Sequence, residues 1–299
     1  MAYLEFDKFC LENKITFTEN ESLKKHNTFK TGGAADRFIL INNVEELKKV
    51  LSFLKENNLK YFILGKGSNL LFDDEGYRGV IISMDNIKGL SVDGEYITAF
   101  SGETLTKTAN FALSNSLSGM EFAHGIPGSV GGGVYMNAGA YDGCISDILV
   151  SSTYMDEKGN IFEITNEDHE FSYRHSFFSD KNHIILSSKF KLKPHNADLI
   201  KEKMDDLKQR RISKQPLEFP SAGSTFKRPE GYFAGALIEQ SGLRGKKIGG
   251  AMVSEKHCGF IINYDNATTN DVLQLIDYVK KTVYEKFGVN LECEVKYIK

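Results

Sequence analysis

The stretch Gly125-Ile126-Pro127-Gly128-Ser129-Val130-Gly131-Gly132-Gly133-Val134-Tyr135-Met136-Asn137-Ala138-Gly139-Ala140 decides how this chain is read. Seven of the 27 glycines fall between Gly125 and Gly143. Glycine loses the most backbone entropy on ordering, so the span is poor material for a packed element, and something must require it. A flexible loop would explain the glycines but not Pro127, Val130, Val134 and Met136, which imply packing. A rigid glycine-rich wall explains both, because backbone without side chains can lie flat against a large planar ligand and its phosphates.

Upstream, the apolar run Tyr61-Phe62-Ile63-Leu64 leads straight into Gly65-Lys66-Gly67-Ser68-Asn69-Leu70-Leu71. Successive amides in such a turn can form an anion-binding nest, and Ser68 and Asn69 add side-chain donors. A Rossmann fingerprint would need a third glycine opening a helix. Leu70 stands at that position and no helical pattern follows. The phosphate-loop signature is missing as well: Gly242-Leu243-Arg244-Gly245-Lys246-Lys247 has neither its spacing nor its hydroxyl. Alone, the first loop reads equally well as a strand-end turn. Two such loops on one mixed scaffold suggest a dinucleotide held by main-chain amides.

The rest of the chain supplies that scaffold. A strand, Phe38-Ile39-Leu40-Ile41, precedes a helix with Val44, Leu47, Val50, Leu51 and Leu54 at helical spacing, and Tyr61–Leu64 completes a β-α-β unit. From about residue 80 to 192 strands and turns dominate. A third region opens with a helix over Ala197–Arg211, with Ile200, Met204 and Leu207 on one face. It closes with an amphipathic helix striped by Val272, Leu275, Ile276, Val279 and Val283. A last strand alternates Leu291, Cys293, Val295 and Tyr297 against Glu292, Glu294 and Lys296. The join near Lys193-Pro194-His195-Asn196 is the expected domain boundary.

Composition narrows the function. Hydrophobic residues make up 41% and charged residues 26%, with a net charge of −3, so no electrostatic footprint of a nucleic-acid binder is present. The basic clusters Lys246-Lys247 and Lys227-Arg228 are local and suit a phosphate-bearing small molecule. No apolar run approaches the roughly 20 residues of a membrane helix, and Met1 to Cys10 does not read as a signal peptide. The expected location is therefore the cytoplasm, with no membrane partner. Cys10, Cys144, Cys258 and Cys293 are scattered without a CxxC pair, which argues against a zinc site or a disulfide framework. His257-Cys258 reads as structural, and no metal is expected.

These residues resemble a known family. The two glycine loops together resemble the FAD-binding domain of vanillyl-alcohol-oxidase-like flavoproteins. Further stretches resemble one member, the UDP-N-acetylenolpyruvoylglucosamine reductases: His26-Asn27-Thr28-Phe29, Tyr173-Arg174, Ala222-Gly223-Ser224-Thr225-Phe226, Ile248-Gly249-Gly250 and Glu292-Cys293-Glu294-Val295. They run in order from about His26 to Ile298, and the compact C-terminal region resembles the shorter second type.

The resemblance implies an α+β fold: a two-part FAD-binding domain of the vanillyl-alcohol-oxidase (PCMH) type plus a smaller α/β substrate-binding domain, with the active site between them. Residues 1–30 would be an N-terminal segment, 31–195 the FAD domain (subdomains about 31–83 and 84–195), and 196–299 the substrate domain. It implies non-covalent FAD, NADPH as co-substrate and a UDP-sugar enolpyruvyl ether as substrate; a monomer is expected, although the sequence does not fix the oligomeric state. His124, which precedes the second loop, is then structural rather than a covalent flavin link. The cofactor residues implied are Gly65, Lys66, Gly67, Ser68, Asn69 and Leu70 in one loop. Gly125, Ile126, Pro127, Gly128, Ser129, Gly131, Gly132, Asn137 and Gly139 serve in the other.

The implied chemistry is hydride transfer from NADPH to FAD and then to the enolpyruvyl β-carbon, which leaves negative charge on the α-carbon and its carboxylate. Arg174 can fork onto that carboxylate; without the resemblance it would read as a surface arginine. Ser224 is implied as proton donor to the α-carbon, where the bare sequence suggests a turn-capping serine and offers Ser221 nearby. Strand alternation puts Glu292 and Glu294 on one face and cannot choose between them; the resemblance selects Glu294. Lys227, Arg228 and Tyr173 are the candidate substrate contacts. The competing readings are a hydroxy-acid or sugar oxidase of the same flavin superfamily, and a nucleotide-binding module without catalysis.

Overall fold

The computed structural model describes residues Ala2 to Lys299. The chain forms two compact units, interleaved along the sequence. The first takes residues up to Thr18, Arg37–Lys66 and Gly79–Arg211; the second takes Glu19–Asp36, Gly67–Arg78 and Ile212–Lys299. The sequence reading drew consecutive segments instead, and packing explains the difference. Helix α1 (Ala2–Glu12) buries Phe6 and Cys10 completely in the first unit's core beside Leu47 and Val50, so these residues are not a separate N-terminal segment.

In that unit, helix α2 (Val44–Glu56) starts where the Asn43 side chain accepts the Glu46 amide at 2.9 Å. It buries Leu47, Val50, Leu51 and Leu54 of the expected stripe and leaves Val44 half-buried at its start. The following strand, Tyr61–Leu64, pairs in parallel with Tyr77–Ser83, Leu64 lying opposite Ser83. The β-α-β unit is therefore not closed on itself, since Tyr77–Ser83 lies between its two strands in the sheet. A second, antiparallel sheet runs in the order Ile161–Thr165, Leu149–Met155, Ile184–Lys191, Tyr96–Phe100, Leu90–Asp93. Met155, Ile184 and Leu186 of this sheet share a core with Ile39 and Val80, which joins the two halves of the unit.

Helices α3 (Leu105–Ser114) and α4 (Val130–Tyr135) bury Leu105, Ala109, Val130 and Val134 with Ile97 and Phe190. α4 contradicts one sequence-based inference, because the glycine-rich span forms a packed helix. Its end is capped by the Ser129 hydroxyl, which accepts the Gly132 amide at 3.2 Å. The glycines there are required by the protein's own packing. A Cβ at Gly131 would lie 2.9 Å from Ser101 Cβ, and one at Gly133 would lie 3.1 Å from Leu105 Cδ1. Helix α5 (Ala197–Lys214) places Ile200 and Met204 in this same core, so the join at Lys193–Asn196 is not where the unit ends.

The second unit is built on α6 (Ala234–Gln240) and α7 (Thr269–Phe287) with a three-stranded antiparallel sheet, Lys247–Ile248, Ala251–Val253 and Ile261–Asn263. α7 buries Val272, Leu275, Ile276, Val279 and Val283, is opened by a Thr268–Asp271 capping box, and stops at Gly288 with φ +68°. The expected last strand is shorter than its alternation suggested. Only Lys296–Ile298 pairs as a strand, in parallel with Leu70–Phe72, while Cys293 makes an isolated bridge to Phe226. Leu291 and Val295 are buried, but Tyr297 is exposed because the chain leaves the core there.

Candidate active site

The first unit carries both halves of a glycine-lined site. A Cβ on Gly65 would fall 2.6 Å from the Ser129 hydroxyl, so the two glycine loops touch there. Lys66 reaches back to Asp85 at 2.9 Å. The amides of Gly65, Lys66, Gly128 and Ser129 have no backbone acceptor among the described residues. The start of α4 differs. The amides of Val130, Gly131 and Gly133 go to the carbonyls of Glu103, Ser101 and Ser129, and that of Gly132 to the Ser129 hydroxyl. Donors for an anion therefore lie in the loops and not at the helix end. Ile126 is half-buried against the core, while Pro127 is exposed.

Beyond α4 the chain braces the arginine motif. Ser172 and His175 bridge each other, which sets Tyr173 and Arg174 at the tip of a tight turn with Arg174 at φ +58°. The Arg174 guanidinium donates to the Gly139 carbonyl at 3.3 Å and lies 5.0 Å from the Tyr173 ring centre. Ser176 donates to the Tyr135 carbonyl at 2.8 Å, and Asn137 donates to the Ser172 carbonyl at 3.1 Å. Gly139 itself is needed for packing, since a Cβ there would lie 2.8 Å from Cys144 Cβ.

Arg211 is the residue that the sequence reading missed. It sits in the last turn of α5, where its Cδ would lie 3.1 Å from a Cβ at Gly125. It is half-buried, makes no hydrogen bond or ion pair among the described residues, and burial pulls its pKa down. A buried charge normally has a partner. In sequence it is one of several arginines and lysines on a polar helix, so no local signal marks it.

The second unit holds the other group. The first loop continues into it through Gly67, whose φ of +61° and 2.1 Å approach of a would-be Cβ to the His26 carbonyl require glycine. The Thr28 amide donates to the Gly67 carbonyl at 3.2 Å. Asn27 holds that segment from beneath, donating to the Leu23 and Thr31 carbonyls at 2.7 and 2.9 Å. Ser68 and Leu70 follow, half-buried. Asn69 donates to the Glu294 carbonyl at 2.9 Å, and its own carbonyl accepts the Lys296 amide at 3.0 Å.

Ser224 is exposed and follows Gly223, which has φ +75°. The Glu294 amide donates to the Thr225 carbonyl at 2.9 Å, so the serine turn and the acidic segment run side by side. The Thr225 hydroxyl accepts the Ile261 amide at 3.0 Å, which anchors the turn in the core. The two acids now separate: Glu292 is exposed and pairs with Lys227 at 3.2 Å, while Glu294 is partly buried. Arg228 lies 4.0 Å from the Phe233 ring centre. The other basic pair is spent on rings, Lys246 over Tyr278 and Lys247 over Tyr264. The His257 ring accepts the Gly259 amide at 3.1 Å, and burial pushes the Cys258 thiol up.

These residues fit an anionic cofactor. Unpaired loop amides and a half-buried guanidinium without a counter-charge are the donor set a diphosphate requires. Among the described residues no cluster of three or more His, Cys, Asp or Glu could hold a metal ion, and no helix is long and apolar enough to cross a membrane.

A family model described as an FAD-binding domain matches residues 35–165. Fold and site together define an FAD-binding oxidoreductase, its α+β architecture combining an FAD-binding domain with a separate C-terminal domain. A second model, the C-terminal domain of UDP-N-acetylenolpyruvoylglucosamine reductase, matches residues 215–298. The chain is 50% identical over 286 residues to the reductase of that name from Clostridium novyi (strain NT), covering 96% of this chain and 93% of that one. It is 50% identical over 280 residues to that of Clostridioides difficile (strain 630), covering 93% and 92%. The crystal structure of the Thermus caldophilus enzyme superposes with a TM-score of 0.81 at 32% identity, covering 95% of this chain and 99% of that one. The chain belongs to the UDP-N-acetylenolpyruvoylglucosamine reductase family.

Proposed function

We propose that the protein reduces UDP-N-acetyl-3-O-(1-carboxyvinyl)glucosamine to UDP-N-acetylmuramate, with NADPH as electron donor and non-covalent FAD. This is a step of peptidoglycan precursor synthesis in the cytoplasm, and the protein works as a monomer without nucleic-acid or membrane partners. The observation that best supports the reading is the bond from the Glu294 amide to the Thr225 carbonyl, because it sets Ser224 and Glu294 on neighbouring segments.

FAD, when bound, supplies the hydride chemistry that no side chain can provide. Arg174 pairs with the substrate carboxylate and stabilises the charge that develops there. Ser224 gives its proton to the α-carbon. A hydroxyl is a very weak acid, so this step needs a strongly basic carbanion and little water. Ser224 is exposed, so exclusion of water falls to the bound substrate. Glu294 polarises the substrate and assists that proton transfer. Tyr173, Lys227 and Arg228 contact the UDP-sugar. Arg211 and the free amides of Gly65, Lys66, Gly128 and Ser129 hold the anionic part of the cofactor.

The test is spectroscopic. The purified yellow protein is reduced anaerobically with NADPH, and the enolpyruvyl substrate is added. Flavin absorbance that bleaches and returns only with that substrate supports cofactor, donor and acceptor together. Recovery with oxygen alone would favour a sugar or hydroxy-acid oxidase. A protein that takes up no flavin after reconstitution with FAD would overturn the reading of the glycine loops.

A further inference from the structure

Asn137 lies in the cofactor stretch, yet both ends of its side chain are engaged by its own chain. Nδ2 donates to the Ser172 carbonyl at 3.1 Å, and Oδ1 accepts the Ser146 amide at 3.0 Å. The residue is 7% exposed and adopts φ +43°, a left-handed conformation that asparagine tolerates better than most residues. Two positions beyond Ser172, Arg174 is held at φ +58°, where a long side chain is rarely found. Such a conformation persists only where its surroundings over-determine it.

Beside the Ser172–His175 bridge, three bonds tie this turn to the segment leaving α4: Asn137 to Ser172, Ser176 to the Tyr135 carbonyl, and Arg174 to the Gly139 carbonyl. All three end on residues 135–139, the segment leaving α4. Of the three, Asn137 alone fixes the backbone on the N-terminal side of the tip.

We infer that Asn137 is a positioning residue for Arg174, setting the backbone from which the guanidinium reaches the substrate carboxylate. The inference rests on the proposed role of Arg174. It separates Asn137 from the residues that hold the cofactor, because its polar atoms are already committed to Ser172 and Ser146.

The experiment uses the FAD-loaded protein with Asn137→Asp. This variant keeps an acceptor for the Ser146 amide but turns an oxygen toward the Ser172 carbonyl. Misplacing a reacting group by about 1 Å costs roughly 100-fold in rate, so reoxidation of the NADPH-reduced enzyme by the enolpyruvyl substrate should slow on that order. FAD affinity, read by quenching of flavin fluorescence, and reduction by NADPH should stay at wild-type values. In an Arg174→Ala background, Asn137→Asp should cause no further loss, because residues acting through one another are not additive.

Should Asn137→Asp fail to fold, Asn137→Gly keeps the left-handed backbone, removes the amide and yields the same readings. Loss of FAD affinity in step with rate, a further loss in the Arg174→Ala background, or wild-type reoxidation would each overturn the inference. Wild-type reoxidation by Arg174→Ala alone would remove the parent reading, and the inference with it.

Discussion

Gly65 and Ser129 meet so closely that a methyl group on the first would stand 2.6 Å from the hydroxyl of the second. The first loop thus has its glycine for the sake of the second loop's capping serine, and the two form one wall. Gly65→Ala should lower stability by about 1–3 kcal/mol, as overpacking does, and weaken FAD binding. Ser129→Ala removes the clashing oxygen at the cost of a helix cap, about 1 kcal/mol. The double variant should then be little worse than Ser129→Ala alone. Urea unfolding of the four proteins decides it, and strictly additive losses would count against the contact. No second-site change should rescue Gly67→Ala, because the obstacle there is the His26 backbone carbonyl.

Ser224→Ala separates the two halves of the proposed reaction. Flavin reduction by NADPH should remain fast, while reoxidation by the enolpyruvyl substrate should slow by about 100- to 10,000-fold, the usual weight of a proton donor. Stopped-flow absorbance follows both halves. Equal slowing of the two would show that Ser224 is not the donor.

Arg211→Met should move cofactor affinity and apoprotein stability in opposite directions. A hydrogen bond to a charged group contributes about 1.5–3 kcal/mol, so FAD affinity should fall about 10- to 100-fold. The flavin-free protein should melt no lower than wild type, since a half-buried charge without a counter-charge has been replaced by an apolar chain of similar length. A variant that melts lower and binds FAD normally would make Arg211 a scaffold residue.

Acid should destabilise the fold through its histidines. Burial, first among the causes, lowers the pKa values of His124, His169 and His257 below the usual histidine range. Well above pH about 6.5 both the folded and unfolded chains keep these rings neutral and they contribute nothing. As the pH falls below that value the unfolded chain binds protons that the folded chain refuses, so stability falls with pH. His169 is completely buried between the Thr165 carbonyl and the Ser152 hydroxyl. Melting curves of wild type and His169→Gln between pH 5 and 8 should show a shallower acid loss in the variant.

Periodicity made the helices legible, and the stripe on α7 lies buried as its spacing required. The two loops were legible because glycine density has few explanations, but their internal reasons were not. That Gly131 faces Ser101, or Gly67 the His26 carbonyl, depends on residues brought together by the fold. The same holds for Arg211, which acquires its interest only when α5 turns it against Gly125. The interleaving of the two units was also invisible locally. Nothing in α1 announces that Phe6 will pack beside Leu47, and no period reveals that Leu70 will lie opposite Lys296. The choice between Glu292 and Glu294 was hidden too, because alternation treats them alike and only the bridge at Cys293 separates their surroundings.

The bond between Asn69 and the Glu294 carbonyl spans 225 residues. During synthesis, the first loop therefore emerges long before the segment it will hold. The Leu70–Phe72 strand likewise waits for Lys296–Ile298. A ribosome stalled before Glu294 would release a chain with every residue of the first unit but with neither the Asn69 bond nor the companion of Ser224. The second unit thus closes only after residues 294–298 have been made, and a shorter product leaves the Leu70–Phe72 strand without its parallel neighbour.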